Sequence, residues 1–304
     1  MGIFEYHWVD VFSERPFGGN PLTVFPSASG LAEDEMQLLA RELNHTDTVF
    51  VLPPTSPQAD VRLRFFTPRK EVPLSGHPVL GAHYVLAMLE DVALEEPVTV
   101  VQQEVGAGIL PVEVHIRGKE IQKVVMSLSP PQFSQPFADK MLVEAALGIE
   151  EGKIGPGDLL PQVVEVGVPW FVIPVMDLKA IQGVRPDLEV VSQLVRRVGT
   201  DQFYLFTMET ESPEATAHGR QVPFGDTRLH EDPVTGDAAG CVGAFLVRNR
   251  VLLPTPSMDL VVEQGHEVGR PGKVDVQVLT REEKVTEVKI GGPVVHVGFG
   301  RFEI

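Results

Sequence analysis

The chain carries one stretch twice. Laid without gaps on DTRLHEDPVTGD (226–237), the segment FTPRKEVPLSGH (66–77) matches Thr67 with Thr227, Glu71 with Glu231, Pro73 with Pro233 and Gly76 with Gly236, and sets Ser75 against Thr235. Two further matches keep the same chain order: GNPLTVF (19–25) against GVPWFVI (167–173), and Thr46-Asp47 against Thr200-Asp201. The offset grows from 148 to 154 to 160 residues, as small insertions would make it. Units this long are two copies of a domain rather than the short units of a solenoid. Paired domains tend to place ligands in the cleft between them, so residues that differ between the copies, such as His77 against Asp237, become candidates for function.

Bulk properties narrow the function classes. A chain of 304 residues is at the size where one core usually divides into two. No apolar run approaches the roughly 20 residues that span a bilayer, so no membrane partner is expected. The start MGIFEYHWVD lacks a basic stretch followed by an apolar one, and Tyr6 stands where a myristoylation motif needs Ser or Thr. A cytoplasmic location is the expectation, and one cysteine, Cys241, admits no intrachain disulfide. A formal charge of −17 repels phosphate backbones, so nucleic acid is not an expected partner either.

Hydrophobic patterning predicts strands at 4–12 and 20–25, a helix from about Glu33 to Asn44 with Met36, Leu39, Ala40 and Leu43 on one stripe, then strands in VFVLPP and VRLRFFT. The second copy repeats the order, with strands in VVEVGV, WFVIPV and FYLF and a helix from about Asp187 to Val198. Between the copies, VTVVQQEVGAGILPVEVHIR and KVVMSL look like antiparallel strands, and strand and turn resume from Leu260. Each repeated segment opens a helix rich in Gly and Ala: VLGAHYVLAML after Gly76, with Pro78 expected at the first helical position, and AAGCVGAFLV after Gly236, with Asp237 expected as N-cap. A helix that small and apolar is expected to be wrapped by its own sheet. The fold class is therefore α+β: two pseudo-symmetric domains, each a curved, mostly antiparallel sheet around a central helix.

Unpaired N–H groups and a partial positive charge make helix starts sockets for carboxylate, so Gly76 and Gly236, with Ser75 and Thr235 beside them, are candidate substrate-binding positions for a small acid. Asp47 lies between a helix and a strand that reads as buried. There a desolvated carboxylate becomes a usable general acid/base. His77 could hold or relay a proton. Asp232 could pair with His77 across the cleft or bind a substrate donor. Asp237 would oppose an anion unless protonated. Asn20, in the GNP turn, is a further candidate for a substrate hydrogen bond. No metal is expected, since no H-E-x-x-H occurs and the other histidines are scattered in sequence. A Rossmann G-x-G-x-x-G and a Walker lysine are also missing.

The motifs FGGNPLTVF, MQLLARELNHTDTVFVL, FTPRKEVPLSGHPVLGA, EDPVTGDAAG and QGHEVGRP together resemble the phenazine-biosynthesis (PhzF-like) isomerase family. The resemblance implies a diaminopimelate epimerase-like fold whose last strand returns to the first domain, hence halves of 1–118 plus 294–304 and of 119–293. It also implies a cofactor-independent isomerase, a homodimer, that moves a proton on a small carboxylic acid. The family's catalytic glutamate, in N-x-S-E-[ST], falls on Asp47; its G-H-P histidine is His77, its E-D-P aspartate is Asp232, and the serine of T-G-S falls on Asp237. Two of those positions depart in residue type. Shortening Glu to Asp withdraws the carboxylate by one methylene, and Ser to Asp adds a charge, yet neither removes the capacity to shuttle a proton. The cysteine pair of the related epimerases and proline racemases is replaced here by Ser75 and Thr235, which leaves thiol-based racemisation out. The expected reaction is a 1,3-proton shift. The rivals are an epimerase or dehydratase of an amino-acid-like acid using Asp47 and Asp237 as two bases, and a non-catalytic small-acid-binding protein.

Overall fold

The computed structural model describes residues 2–118, 120–222 and 231–304; Thr227 of the repeat lies outside them. The chain forms two compact units, Met1–Ser127 with Gly291–Ile304, and Leu128–Ile290. The first contains β1 (Ile3–Val11), β2 (Asn20–Phe25), α1 (Glu33–Leu43), β3 (Asp47–Leu52), β4 (Val61–Phe66), β5 (Glu71–Val72), α2 (Gly76–Met88), β6 (Val98–Val105), β7 (Gly108–Arg117) and β8 (Glu120–Ser127). The second contains β9 (Gln132–Phe133), α3 (Lys140–Leu147), β10 (Gln162–Glu165), β11 (Pro169–Pro174), α4 (Leu178–Gln182), α5 (Leu188–Val198), β12 (Phe203–Thr207), β13 (Ala217–Gln221), α6 (Gly236–Arg248), β14 (Ser257–Gln264) and β15 (Gly272–Arg281). The chain then runs through β16 (Lys284–Gly292) into β17 (Val294–Glu303), which pairs antiparallel with β1.

The two units repeat one pairing scheme. In the first, β1–β2 is antiparallel, β2–β3 parallel, β3–β4 antiparallel, β4–β6 parallel and β6–β7 antiparallel. In the second, β10–β11 is antiparallel, β11–β12 parallel, β12–β13 antiparallel, β13–β14 parallel and β14–β15 antiparallel. GNPLTVF and GVPWFVI supply β2 and β11, the repeated Thr-Asp pairs lead into β3 and β12, and the Gly76 and Gly236 segments open α2 and α6. The repeated glutamates also do the same work. Glu71 takes Arg64 of β4 through both its oxygens, at 2.7 and 2.6 Å, and Glu231 takes Arg220 of β13 at 2.9 and 3.0 Å. Each bidentate pair ties the segment ahead of a central helix to the neighbouring strand.

Strand alternation explains how each sheet serves two layers. Phe25 and Phe50 join Met36, Leu39 and Ala40 of α1 in one cluster, with Leu43 packed against it, while Leu22 of β2 reaches α2 on the other face. Phe171 and Ile173 of β11 likewise join Val143 and Leu147 of α3 and Val191 and Leu194 of α5. Helix α2 touches β1, β2, β3, β7, β8 and β17, and residues His77–His83 and Val85–Ala87 are all buried. Small residues let the strands come this close. A Cβ on Gly81 would lie 2.3 Å from Leu22 Cδ2 and 3.1 Å from Val11 Cγ2, and one on Gly243 of α6 would lie 2.7 Å from Val276 Cγ1.

The helix starts differ from expectation in two details. Pro78 is the third helical residue of α2 rather than the first, where its missing N–H still has no partner four residues back. Asp237 is not the N-cap of α6; Thr235 is, and Asp237 is the second residue of the helix. Helices α3 and α4 and strand β13 are additions to the sequence pattern.

Close packing of α2 on β2 predicts a specific coupling. Gly81→Ala is expected to cost about 1–3 kcal/mol through overpacking, and Leu22→Ala about 2–5 kcal/mol through the cavity it leaves. Because each relieves the other, the double variant in urea denaturation should lose less than the sum by at least about 0.5 kcal/mol. Full additivity would show that the helix does not rest on Leu22.

Candidate active site

In the first unit the candidates converge at the start of α2. Asn44 closes α1 in the left-handed conformation, φ 54°, and the next residues turn the chain into β3, whose first residue is Asp47. Asn20, fully buried at the start of β2, accepts a hydrogen bond from Thr46 Oγ1 at 3.2 Å and so fixes this turn. Asp47 is 8% exposed. Its Oδ2 accepts Ser75 Oγ at 3.3 Å and lies 3.7 Å from His77 Nε2. Asp47, Ser75, Gly76 and His77 therefore meet in one place, with Asn20 supporting it from behind.

The electrostatics of this place follow from desolvation. Burial pushes the His77 imidazole down to about 3, with a smaller contribution from His45, so the ring is neutral at physiological pH. Its buried Nε2 makes no hydrogen bond. Helix α2 has no acidic residue in its first turn, and its N-cap, Ser75, makes no side-chain hydrogen bond to the helix because the hydroxyl is turned to Asp47. The positive end of α2 is thus not neutralised by a cap of its own. His45, which follows Asn44, bonds Thr23 Oγ1 through Nδ1 at 2.9 Å, and its ring centre lies 4.7 Å from that of Trp8, tilted by 50°. Neither His45 nor Trp8 was signalled by the sequence pattern.

In the second unit the candidates gather at the start of α6. Thr235 Oγ1 donates to Asp232 Oδ2 at 2.6 Å, so Asp232 has a partner in its own unit. Gln264 holds the segment from both sides: its Oε1 accepts Thr235 N–H at 2.9 Å and Tyr204 Oη at 2.8 Å, and its Nε2 donates to the Asp232 carbonyl at 2.8 Å. Asp237 Oδ2 accepts Trp170 Nε1 at 3.1 Å, and Oδ1 accepts Ala238 N–H at 3.0 Å. Some of its surface remains exposed, yet protein encloses the carboxyl deeply enough that desolvation raises its pKa over the opposing pull of those donors. A carboxyl so placed can act as acid or base nearer neutrality than an ordinary aspartate.

Sequence reasoning missed Trp170 and Gln264. Trp170 occupies the place of Leu22 in the repeat, so its identity reads as an apolar core position, which it is except for one indole N–H. Asp201, the counterpart of Asp47, is exposed, and Thr200 bonds the Pro169 carbonyl at 2.9 Å instead. Only the first copy carries a buried aspartate at this place.

Two neutral buried imidazoles in the first unit make stability depend on pH. His83 is pushed down to about 4 by burial and His77 to about 3, whereas the same residues in the unfolded chain take up protons near 6.5. The unfolded state then binds more protons below that pH, and stability falls as pH drops from 6.5 towards 5, above the range of most carboxylates. Urea denaturation across this window should give a shallower slope for His83→Gln than for the unaltered protein; an unchanged slope would contradict a neutral buried His83.

The whole chain has relatives. Residues 9–300 match the family described as phenazine biosynthesis-like protein. An uncharacterized isomerase of Clostridium acetobutylicum is 33% identical over 97% of this chain and 96% of that protein, and the uncharacterized isomerase YddE of Escherichia coli K12 is 34% identical over 95% of each. Among solved structures, a PhzF-family phenazine biosynthesis protein of Bacillus anthracis superposes with a TM-score of 0.88 at 29% identity over 100% of both chains. A hydroxyproline epimerase of Agrobacterium vitis shares the fold, with a TM-score of 0.65 at 14% identity over 98% of this chain and 92% of that one. With its epimerase-like fold and a match over nearly its whole length, the chain belongs to the phenazine biosynthesis-like (PhzF) family.

Proposed function

We propose that this chain is a cofactor-independent isomerase that moves a proton along a small carboxylic acid, with Asp47 as the group that takes and returns it. The observation that carries this reading is the desolvated Asp47 carboxylate beside Ser75 and neutral His77 at the uncapped start of α2. A carboxylate placed this way can take a proton from a bound acid, and the helix amides offer the positive field that an enolate needs. In the proposed cycle Asp47 removes H⁺ from a carbon conjugated to a carbonyl or carboxyl group, and the electron pair of that C–H bond moves into the conjugated system. The N–H groups of Gly76 and His77 stabilise the oxyanion, and the same proton is then delivered to another carbon. Ser75 orients the Asp47 carboxylate, and His77 Nε2 is available to bind substrate. Two relatives bear the name isomerase, which agrees with this class. A homodimer in the cytoplasm completes the reading by analogy with the family.

A specific observation favours a second reading. Asp237, where the family motif has serine, is a carboxyl with a raised pKa on the second repeat. Acting as a second acid/base group, it would make the chain an epimerase or dehydratase of an amino-acid-like acid.

A screen of small carboxylic acids in D₂O by ¹H NMR separates these possibilities. A turned-over acid should exchange hydrogen with solvent or isomerise, and Asp47→Asn should slow it by roughly a hundredfold or more. Loss of optical purity, abolished by Asp237→Asn as well, would select the epimerase. Turnover undiminished in Asp47→Asn would remove Asp47 from the mechanism.

A further inference from the structure

Parallel pairing of β13 with β14 sets His218 directly opposite Glu263. Both side chains are fully buried, and His218 Nδ1 lies 3.0 Å from Glu263 Oε1. The other ring nitrogen, Nε2, lies 3.0 Å from Oε1 of Glu267, a side chain only 9% exposed. His266, in the single 3₁₀ turn His266–Val268 that follows β14, brings its ring to 5.2 Å from that of His218. Ligand atoms of His218, Glu263 and His266 all fall within 4.8 Å of one another. Two polar atoms in this cluster are buried without a hydrogen-bond partner: His266 Nδ1 and Glu267 Oε2.

We infer that His218, Glu263 and His266 form a binding site for a divalent transition ion of the Zn²⁺ class, with Glu267 orienting His218 from behind. Imidazole and carboxylate are the donors this class of ion prefers, and ligands around a tetrahedral Zn²⁺ stand roughly 3.4 Å apart, so closure needs only a small inward shift of the turn. Glu267 completes the arrangement that metal-bound histidines usually show. A carboxylate accepting Nε2–H leaves the Nδ1 lone pair directed at the ion. Two carboxylates, Glu263 and Glu267, flank the His218 ring, one at each nitrogen, an arrangement that suits a cation. Glu263 is anchored independently by the N–H groups of Glu211 and Ser212, at 2.6 and 3.0 Å, which presets its position.

The ion takes no step in the reaction proposed above; its effect is on order. Gln264, next to Glu263, holds the Asp232–Thr235 segment, and Gly265, at φ +92°, sits where a Cβ would lie 2.7 Å from the Pro233 carbonyl oxygen. Tying His266 to His218 therefore braces the turn on which the start of α6 leans.

Equilibrium dialysis of untagged, chelator-treated protein against Zn²⁺, read by elemental analysis and by the thermal midpoint, tests the site. One Zn²⁺ per chain and a raised midpoint are expected, and a Co²⁺-loaded sample should show the visible absorption of a tetrahedral centre. His266→Ala, on a half-exposed turn, should lose the stoichiometric ion, and Glu267→Gln, which keeps every ligand, should weaken it roughly ten- to a hundredfold. Substoichiometric Zn²⁺ on the unaltered protein, or binding unchanged in both variants, would overturn the assignment and leave His218 as a protonated clamp between two glutamates.

Discussion

The structure depends on burying a whole helix on all sides, twice. An α-helix can be enclosed this way only if its residues are small enough for strands to close on it, and Gly81 and Gly243 mark where backbone meets side chain with no room to spare. Enclosure has a consequence at the helix start. Amides that would ordinarily be wet or capped are placed beside desolvated side chains, so the partial charge of the helix acts at nearly full strength. Asp47 and His77 sit in that field in the first unit, Asp237 in the second.

Duplication and divergence have different physical signatures here. Elements that hold the fold are the same in both copies, down to the bidentate pairs Arg64–Glu71 and Arg220–Glu231. Groups able to do chemistry are not. His77 faces Asp237 in the alignment, Leu22 faces Trp170, and the buried Asp47 faces an exposed Asp201. The copies share a scaffold and have been given different side chains where the scaffold leaves amides available.

Much of this was legible in the chain. Colinear short matches were enough to anticipate two like units, because β-pairing order survives when only turns and helix starts keep their residues. The stripe Met36, Leu39, Ala40 and Leu43 located α1, and the family resemblance rested on motifs spread over the chain. What escaped had physical causes. Strand β13, AHGRQ, has no alternation; Gly219 is there because Tyr204 Oη would lie 2.1 Å from a Cβ, and its pairing comes from neighbours. Helix α3 did carry signals, an Asp139 cap bonded to Leu142 N–H and a left-handed Gly148, in a stretch given no element from the sequence. Asp237 looked like a cap because aspartate favours that position, but Thr235 takes it with a hydroxyl committed to Asp232. Spacing along the chain hid the grouping of His218 with His266, which strand pairing creates.

Function depends most on a desolvated place at the start of α2, where the Asp47 carboxylate meets a neutral His77. Nitrogen-15 NMR of the His77 ring, followed from pH 8 to pH 5 in imidazole-labelled protein, reports on it without any knowledge of the substrate. A ring that stays neutral throughout is the predicted result, in keeping with a pKa pushed down to about 3 by burial. A ring that becomes imidazolium near pH 6.5 would mean that water reaches the site freely, and the argument for Asp47 as a desolvated base would fail with it.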